Sequence, residues 1–194
     1  MIIVSGSMRS GTSLMCQILQ AIGLTPSTDN KRKPDKNNPN GYFEIENIGE
    51  KITKSTKIEK TKTGYGYSGT KNADDKTDFI ESLDGDFVKI ISVYIESVPK
   101  KYPVIFMVRN YKEIADSIGK FRGKDLERKE SFEIGKFQEE KIFNLSDRNI
   151  VYIDYNDLME NPEEEIEKLK EILGEINVSK AFSVIDKDLY RSRK

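Results

Sequence analysis

Ile2-Ile3-Val4-Ser5-Gly6-Ser7-Met8-Arg9-Ser10-Gly11-Thr12-Ser13-Leu14-Met15-Cys16-Gln17-Ile18-Leu19 decides the fold. A short β-branched run stops at Ser5-Gly6, where strand chemistry gives way to turn chemistry. From Leu14 the apolar residues recur at Ile18, Leu19 and Ile22, which is helical spacing, and Gly23 closes the helix. The stretch therefore reads as strand, tight loop, helix. Gly6 and Gly11 stand five apart and are followed by Thr12 and Ser13, the glycine frame of a phosphate-binding loop. In such a loop glycine lets the backbone turn and successive N–H groups converge on an anion. The helix N-terminus behind them adds partial positive charge. Nucleoside triphosphatases carry Lys where this chain has Thr12, and here the cation has moved into the loop as Arg9. A loop of this kind suits a smaller phosphate or a phosphosulfate better than a triphosphate. A generic βα turn without a ligand is the plainer alternative.

Composition narrows the class. The 194 residues suit one domain, 1–194, with enough apolar sequence for one sheet: 36% are hydrophobic and 34% charged. A net charge of −1 argues against an electrostatically driven nucleic-acid binder. The single cysteine, Cys16, excludes an internal disulfide and reads as a small packing residue. Histidine is absent, which removes the commonest general base and the commonest metal ligand. No apolar run has the length of a transmembrane helix, and Met1 leads straight into a strand without a basic n-region. A chain with no membrane anchor, in the cytoplasm, is expected.

Further along, 25–40 is rich in Pro, Asn, Asp and Lys and reads as a long loop. It ends in Asn38-Pro39-Asn40-Gly41-Tyr42-Phe43-Glu44, a turn that delivers two aromatics and a carboxylate. The pattern over 45–58 is compatible with a helix carrying Lys51, Lys54 and Lys57, continued by Lys60 and Lys62. This is either a solvated face or a positive rim. Tyr65 and Tyr67 lie in a glycine-aromatic segment that reads as a lid or as an ordinary surface loop. Strands are expected at 87–91, 104–108 and 150–153, with helices at 94–101, 112–121 and 122–145. The long helix should turn Phe132, Phe137, Ile142 and Phe143 toward the body. A last helix opens at Asn161-Pro162, with Asn161 as its cap, and runs to Gly174. Strands alternating with helices, without hairpin signals, predict an α/β fold: a central parallel sheet flanked by helices on both faces.

Arg109 directly follows the central strand, on the carboxyl edge where open α/β sheets bind ligands. Ser117 comes about two helical turns later and can face the same side. A guanidinium with a hydroxyl is a sound arrangement for a second phosphate. The basic tail residues Arg191 and Arg193 are the alternative partners for it.

Arg9-Ser10-Gly11-Thr12-Ser13 resembles the 5′-phosphosulfate loop of the sulfotransferases, which use 3′-phosphoadenosine 5′-phosphosulfate (PAPS) and release adenosine 3′,5′-bisphosphate (PAP). The Arg109-to-Ser117 spacing is similar to the segment that grips the donor's 3′-phosphate. The stretch 38–44 is similar to a segment of bacterial sulfotransferase-like proteins, and 152–162 looks like the family's late strand-turn-helix. Phe87-Val88-Lys89 matches a strand where relatives carry Lys, then Ser or Asp, then Pro; that proline is missing here. The similarity covers about 1–24, 38–46, 86–119 and 150–174.

This resemblance implies a P-loop α/β fold and a PAPS-dependent sulfotransferase that needs no metal. Ser7, Met8, Arg9, Ser10, Gly11, Thr12 and Ser13 would hold the 5′-phosphate and sulfuryl end, and Arg109 and Ser117 the 3′-phosphate. Arg9, Glu44 and Lys89 are the candidate catalytic residues. Many cytosolic members use histidine as base; without one, a carboxylate must serve, as in the tyrosyl-protein and heparan branches. Glu44 is the candidate, its pKa expected to rise by burial beside Tyr42 and Phe43. Glu46 competes, because alternation in an extended segment would point both the same way. The acceptor would be a small molecule, a carbohydrate or another hydroxyl- or amine-bearing compound. A P-loop kinase using ATP and Mg²⁺ and a non-catalytic nucleotide-binding module are the alternatives.

Overall fold

The computed structural model describes residues 1–36, 38–53, 77–123 and 125–190. In chain order the elements are β1 (Ile2–Gly6), α1 (Thr12–Ala21), β2 (Pro26–Ser27), α2 (Ile48–Ile52), α3 (Thr77–Glu81), β3 (Phe87–Lys89), a 3-10 turn (Ser92–Ser97), β4 (Val104–Val108), α4 (Tyr111–Arg122) and α5 (Arg128–Asn144). Then follow β5 (Ile150–Asp154), α6 (Tyr155–Glu160), α7 (Pro162–Glu167), α8 (Lys170–Leu173), α9 (Val178–Phe182) and a closing 3-10 turn (Lys187–Leu189). The five strands form one sheet in the order β2-β3-β1-β4-β5, parallel at every pairing. The expected α/β architecture is what forms.

The two-residue period of the strands sorts the core. Val4, Phe87, Ile105, Met107, Val151 and Ile153 face α1, α6, α7 and α9. Their neighbours Ile3, Val88, Val104 and Phe106 face the opposite layer, built by α2, α3, the 3-10 turn and Leu145 after α5. Cys16 lies fully in the first layer, and burial pushes its thiol up to about 12. It is a buried packing residue. All strands run the same way, so the loops after β1, β3, β4 and β5 emerge on one edge.

Several boundaries differ from the sequence reading. β3 ends at Lys89, and the helix expected over 94–101 is the 3-10 turn Ser92–Ser97. The long helix of 122–145 splits: Gly123 ends α4 at φ 71, and α5 starts afresh at Arg128 with Glu127 and Glu130 forming a capping box. On α5 the buried residues are Ile134, Gly135, Gln138 and Lys141, whereas Phe132 and Phe143 are exposed, Phe143 by 79%. Lys141 is held inward by Glu96 at 2.6 Å, which turns that face of the helix to the body. Asn161 stands at the N-cap of α7 but makes no side-chain cap bond, and the expected run to Gly174 is the two short helices α7 and α8. The two-residue β2 lies inside the stretch read as loop, and α6 and α9 have no counterpart in the sequence reading. Among the described residues no helix is long and apolar enough to cross a membrane. Lys54, Lys57, Lys60, Lys62, Tyr65, Tyr67, Arg191 and Arg193 lie outside the described residues.

Candidate functional site

The loop between β1 and α1 makes its turn with two residues in the left-handed region, Arg9 at φ 68 and Gly11 at φ 99. A Cβ on Gly11 would collide with the Tyr155 ring, so glycine is needed there both for conformation and for space. Arg9 pays the usual non-glycine cost of that conformation and is held in it: Arg109 Nη1 donates to the Arg9 carbonyl at 3.0 Å. The N-terminus of α1 has no side-chain cap and no acidic residue in its first turn. α4 and α6, by contrast, are capped by Asn110 and Asp154. An uncapped helix start over a glycine loop leaves its orphan N–H groups and positive dipole end facing the cleft.

That cleft has a volume of about 240 Å³. Of the sequence-predicted residues, Met8, Arg9, Gly11, Thr12, Ser13, Glu44, Lys89, Arg109 and Ser117 all line it. Ser7 and Ser10 do not line it; their hydroxyls are buried and have no hydrogen-bond partner among the described residues. Five cationic side chains border the cleft, Arg9, Arg32, Lys89, Arg109 and Lys120, against two carboxylates, Glu44 and Asp186. The balance fits an anionic ligand.

Segments distant in sequence meet here through specific bonds. Arg9 Nε donates to Ser117 Oγ at 2.9 Å, joining the loop to α4, and the Arg9 guanidinium lies 5.9 Å from the Phe121 ring. Arg109 is buried. Its Nε and Nη2 meet Glu113 at 3.1 and 3.0 Å, and its guanidinium lies over Tyr155 at 4.3 Å. Tyr190 donates its hydroxyl to the other Glu113 oxygen at 3.0 Å. Arg109 is thus a brace for the loop as well as a cleft-lining cation, a role that spacing alone does not reveal.

Lys89 continues the strand alternation onto the α1 layer. Its Nζ donates to Ser13 Oγ at 3.3 Å and pairs with Glu44 at 2.9 Å. Glu44 also accepts from Arg32 at 2.7 Å, and Arg32 stacks over Tyr42 at 3.5 Å. The expected rise in the Glu44 pKa does not occur. Burial pushes it up, but the Lys89 charge and hydrogen bonds from Arg32 and Lys89 outweigh burial and hold the carboxyl below its usual range. Glu46 points elsewhere and pairs with Lys31 at 2.6 Å.

Sequence reasoning missed Arg32, Lys120, Phe121, Tyr155 and Asp186 on this wall. Lys120 and Phe121 carried a usable signal, since they stand three and four residues after Ser117 on one helix. Arg32 had none, because it lies in an irregular loop. Among the described residues no group of three or more His, Cys, Asp or Glu side chains is arranged to hold a metal.

No family model matches the chain, and no curated protein matches it by sequence. Solved structures do. Mouse sulfotransferase SULT7A1, a crystal structure complexed with PAP, superposes with a TM-score of 0.55 at 15% identity over 100% of this chain. The match takes in 66% of SULT7A1, so this chain spans just under two thirds of that protein's length. The sulfotransferase domain from the curacin biosynthetic pathway gives a TM-score of 0.50 at 13% identity, over 97% of this chain and 78% of that domain. With its parallel sheet, its glycine loop and these neighbours, the chain has a sulfotransferase-like fold.

Proposed function

We propose that the chain is a PAPS-dependent sulfotransferase. The observation that supports this most is the convergence on one cleft of the uncapped α1 N-terminus with Arg9, Lys89 and Ser117. The donor supplies the group transferred: a new bond from the acceptor oxygen to sulfur forms while the bond to the bridging oxygen breaks. That oxygen leaves with its electron pair on PAP, and the acceptor's hydroxyl proton goes to a base.

The N–H groups of the first α1 turn and the Thr12 and Ser13 hydroxyls bind the 5′-phosphate. Arg109 and Ser117 bind the 3′-phosphate, with Arg109 fixed in direction by Glu113. Arg9 and Lys89 stand where charge develops on the leaving oxygen, and arginine acts there as a fixed charge, since it does not deprotonate. Glu44 is the proton acceptor. Held ionised by Lys89 and Arg32, it is a weak base toward a free alcohol. It becomes an adequate one as the acceptor oxygen bonds to sulfur and grows acidic. The acceptor is a hydroxyl compound, nucleic acid is not a partner, and the setting is cytoplasmic.

Thermal shift in EDTA is the test. PAP should raise the melting temperature without metal, with about 2.7 kcal/mol of stabilisation at a hundredfold excess over Kd, and ATP with Mg²⁺ should do far less. No response to millimolar PAP refutes the reading, and a response to ATP with Mg²⁺ alone favours a kinase. Glu44→Gln should leave PAP binding intact and cut turnover by about two to four decades.

A second reading, a non-catalytic PAP-binding protein, is favoured by one observation: the candidate base Glu44 is tied to two cations. PAP binding without turnover of PAPS on any alcohol or amine would select it.

A further inference from the structure

Four large apolar side chains stand exposed among the described residues: Met8, Phe121, Phe132 and Phe143. Met8 and Phe121 line the cleft, where a ligand covers them. Phe132 and Phe143, 53% and 79% exposed, lie instead on α5, no residue of which lines the cleft. They stand eleven residues apart, about three helical turns, so both rings fall on one stripe. The stripe runs Lys129, Phe132, Lys136, Glu139, Phe143, at alternating spacings of three and four, which is the seam of a helix pair. All five are exposed, and the buried face of Ile134, Gly135, Gln138 and Lys141 is turned away from them. The Lys136 ammonium lies 5.0 Å from the Phe132 ring, and neither Lys136 nor Glu139 has an ion-pair partner among the described residues.

We propose that a second copy of this chain covers the stripe, with α5 packed antiparallel against α5 about a two-fold axis. The order of residues along the stripe is its own complement. The register that sets Phe132 on the partner's Phe143 also sets Lys136 on the partner's Glu139, and the two-fold axis makes each contact twice. The exposed charges of the two helix halves agree with this. Arg128, Lys129 and Lys136 precede the centre, whereas Glu139 and Glu140 follow it. Of the acids in the first half, Glu130 is taken up by the capping box and Glu133 is only half exposed. A parallel pair would stack Lys136 on Lys136 and Glu139 on Glu139, which repel. A row that is basic at one end and acidic at the other selects an antiparallel copy of itself over a uniformly charged partner. With 17 residues α5 is about 25 Å long, so one face of it buries less than a standard interface of about 1,600 Å². The dimer is accordingly weak, with a Kd of about 10–100 μM.

Sedimentation velocity over about 1–500 μM protein should show a single monomer–dimer equilibrium. Lys136→Glu or Glu139→Lys alone puts like charges opposite each other in both central layers and should raise the Kd at least about tenfold. Mixing the two single variants should restore the parental Kd, because each chain then meets the opposite charge. The double swap Lys136→Glu/Glu139→Lys should restore it as well. Cysteine cross-linking reads the register and serves if a charge variant fails to fold. Cys16 is buried, so Phe132→Cys and Phe143→Cys each add one accessible thiol. Mixed under air they should form a disulfide-linked pair, whereas Phe132→Cys by itself should not, its two thiols standing about 16 Å apart. A monomer at every concentration overturns the proposal. So does a dimer that neither charge change weakens, or one that the mixed variants do not restore. Cross-linking of Phe132→Cys to itself in preference to the mixture overturns the antiparallel register.

Discussion

Replacing Arg109 by Met removes a guanidinium that is 7% exposed and strands Glu113, which is 1% exposed. The pair is tight, with Arg109 Nε and Nη2 at 3.1 and 3.0 Å from one Glu113 oxygen. After the change the Tyr190 hydroxyl still serves the other oxygen, but the guanidinium that faced the carboxylate is gone. Breaking a buried pair on one side costs about 3–5 kcal/mol, against a total stability of about 5–15 kcal/mol for a domain. For a chain of this size that lowers the melting temperature by about 6–20 °C. Arg109→Met/Glu113→Leu removes both charges and should recover about 2 kcal/mol or more of the loss. Far-UV circular dichroism during thermal and urea unfolding measures both variants. If Arg109→Met costs under about 1 kcal/mol, or if Glu113→Leu only adds to the loss, the brace is not what stabilises the loop. At low temperature, where the single variant stays folded, its preference for PAP over adenosine 5′-phosphate should drop by about one to two decades. An unchanged preference would place the 3′-phosphate away from Arg109.

Three further outcomes are expected. Gly11→Ala meets both a φ of 99 and the Tyr155 ring, so it should lower stability by about 1–3 kcal/mol and weaken PAP binding, with Gly11→Ala/Tyr155→Ala recovering part of the stability in the same melt; parental behaviour would contradict the loop geometry. The Glu44 carboxyl is held below its ordinary value of 4.5 in the folded protein. Its pairs therefore contribute stability above that pH and lose it as pH falls through the folded value, so Glu44→Gln should flatten the acid limb of stability against pH, and a limb as steep as the parent's refutes the pairing. On α5, Phe143→Ser should change stability by no more than about 0.5 kcal/mol, whereas Ile134→Ala should cost about 2–5 kcal/mol; the reverse ranking in urea unfolding would restore the expected inward phenylalanines.

The failure at Phe132 and Phe143 shows where pattern reading stops. Hydrophobicity chose those two residues for the core, but α5 turns inward the face that carries Ile134, Gly135, Gln138 and Lys141. Gln138 is taken in because it bonds the backbone N–H and carbonyl of Arg109, and Lys141 because Glu96 meets it. Such a preference depends on partners supplied by other segments. Arg32 is the same case at the cleft, an unremarkable loop arginine until Glu44 and Tyr42 are brought beside it.

Local chemistry, readable one residue at a time, settled four of the five strands, the glycine loop and the first helix, because backbone sterics and apolar periodicity act over a few neighbours. It also settled which edge carries the site, since parallel strands all release their loops on the same side. What the tertiary structure alone decided was pairing and charge. Lys89 lies 45 residues from Glu44, and Ser117 lies 108 from Arg9. Whether Glu44 is a raised or a lowered acid depends on which of its neighbours wins, burial or the two cations. Electrostatic energies fall off with distance in space and not with separation along the chain, so the fold had to bring these groups together before that balance existed.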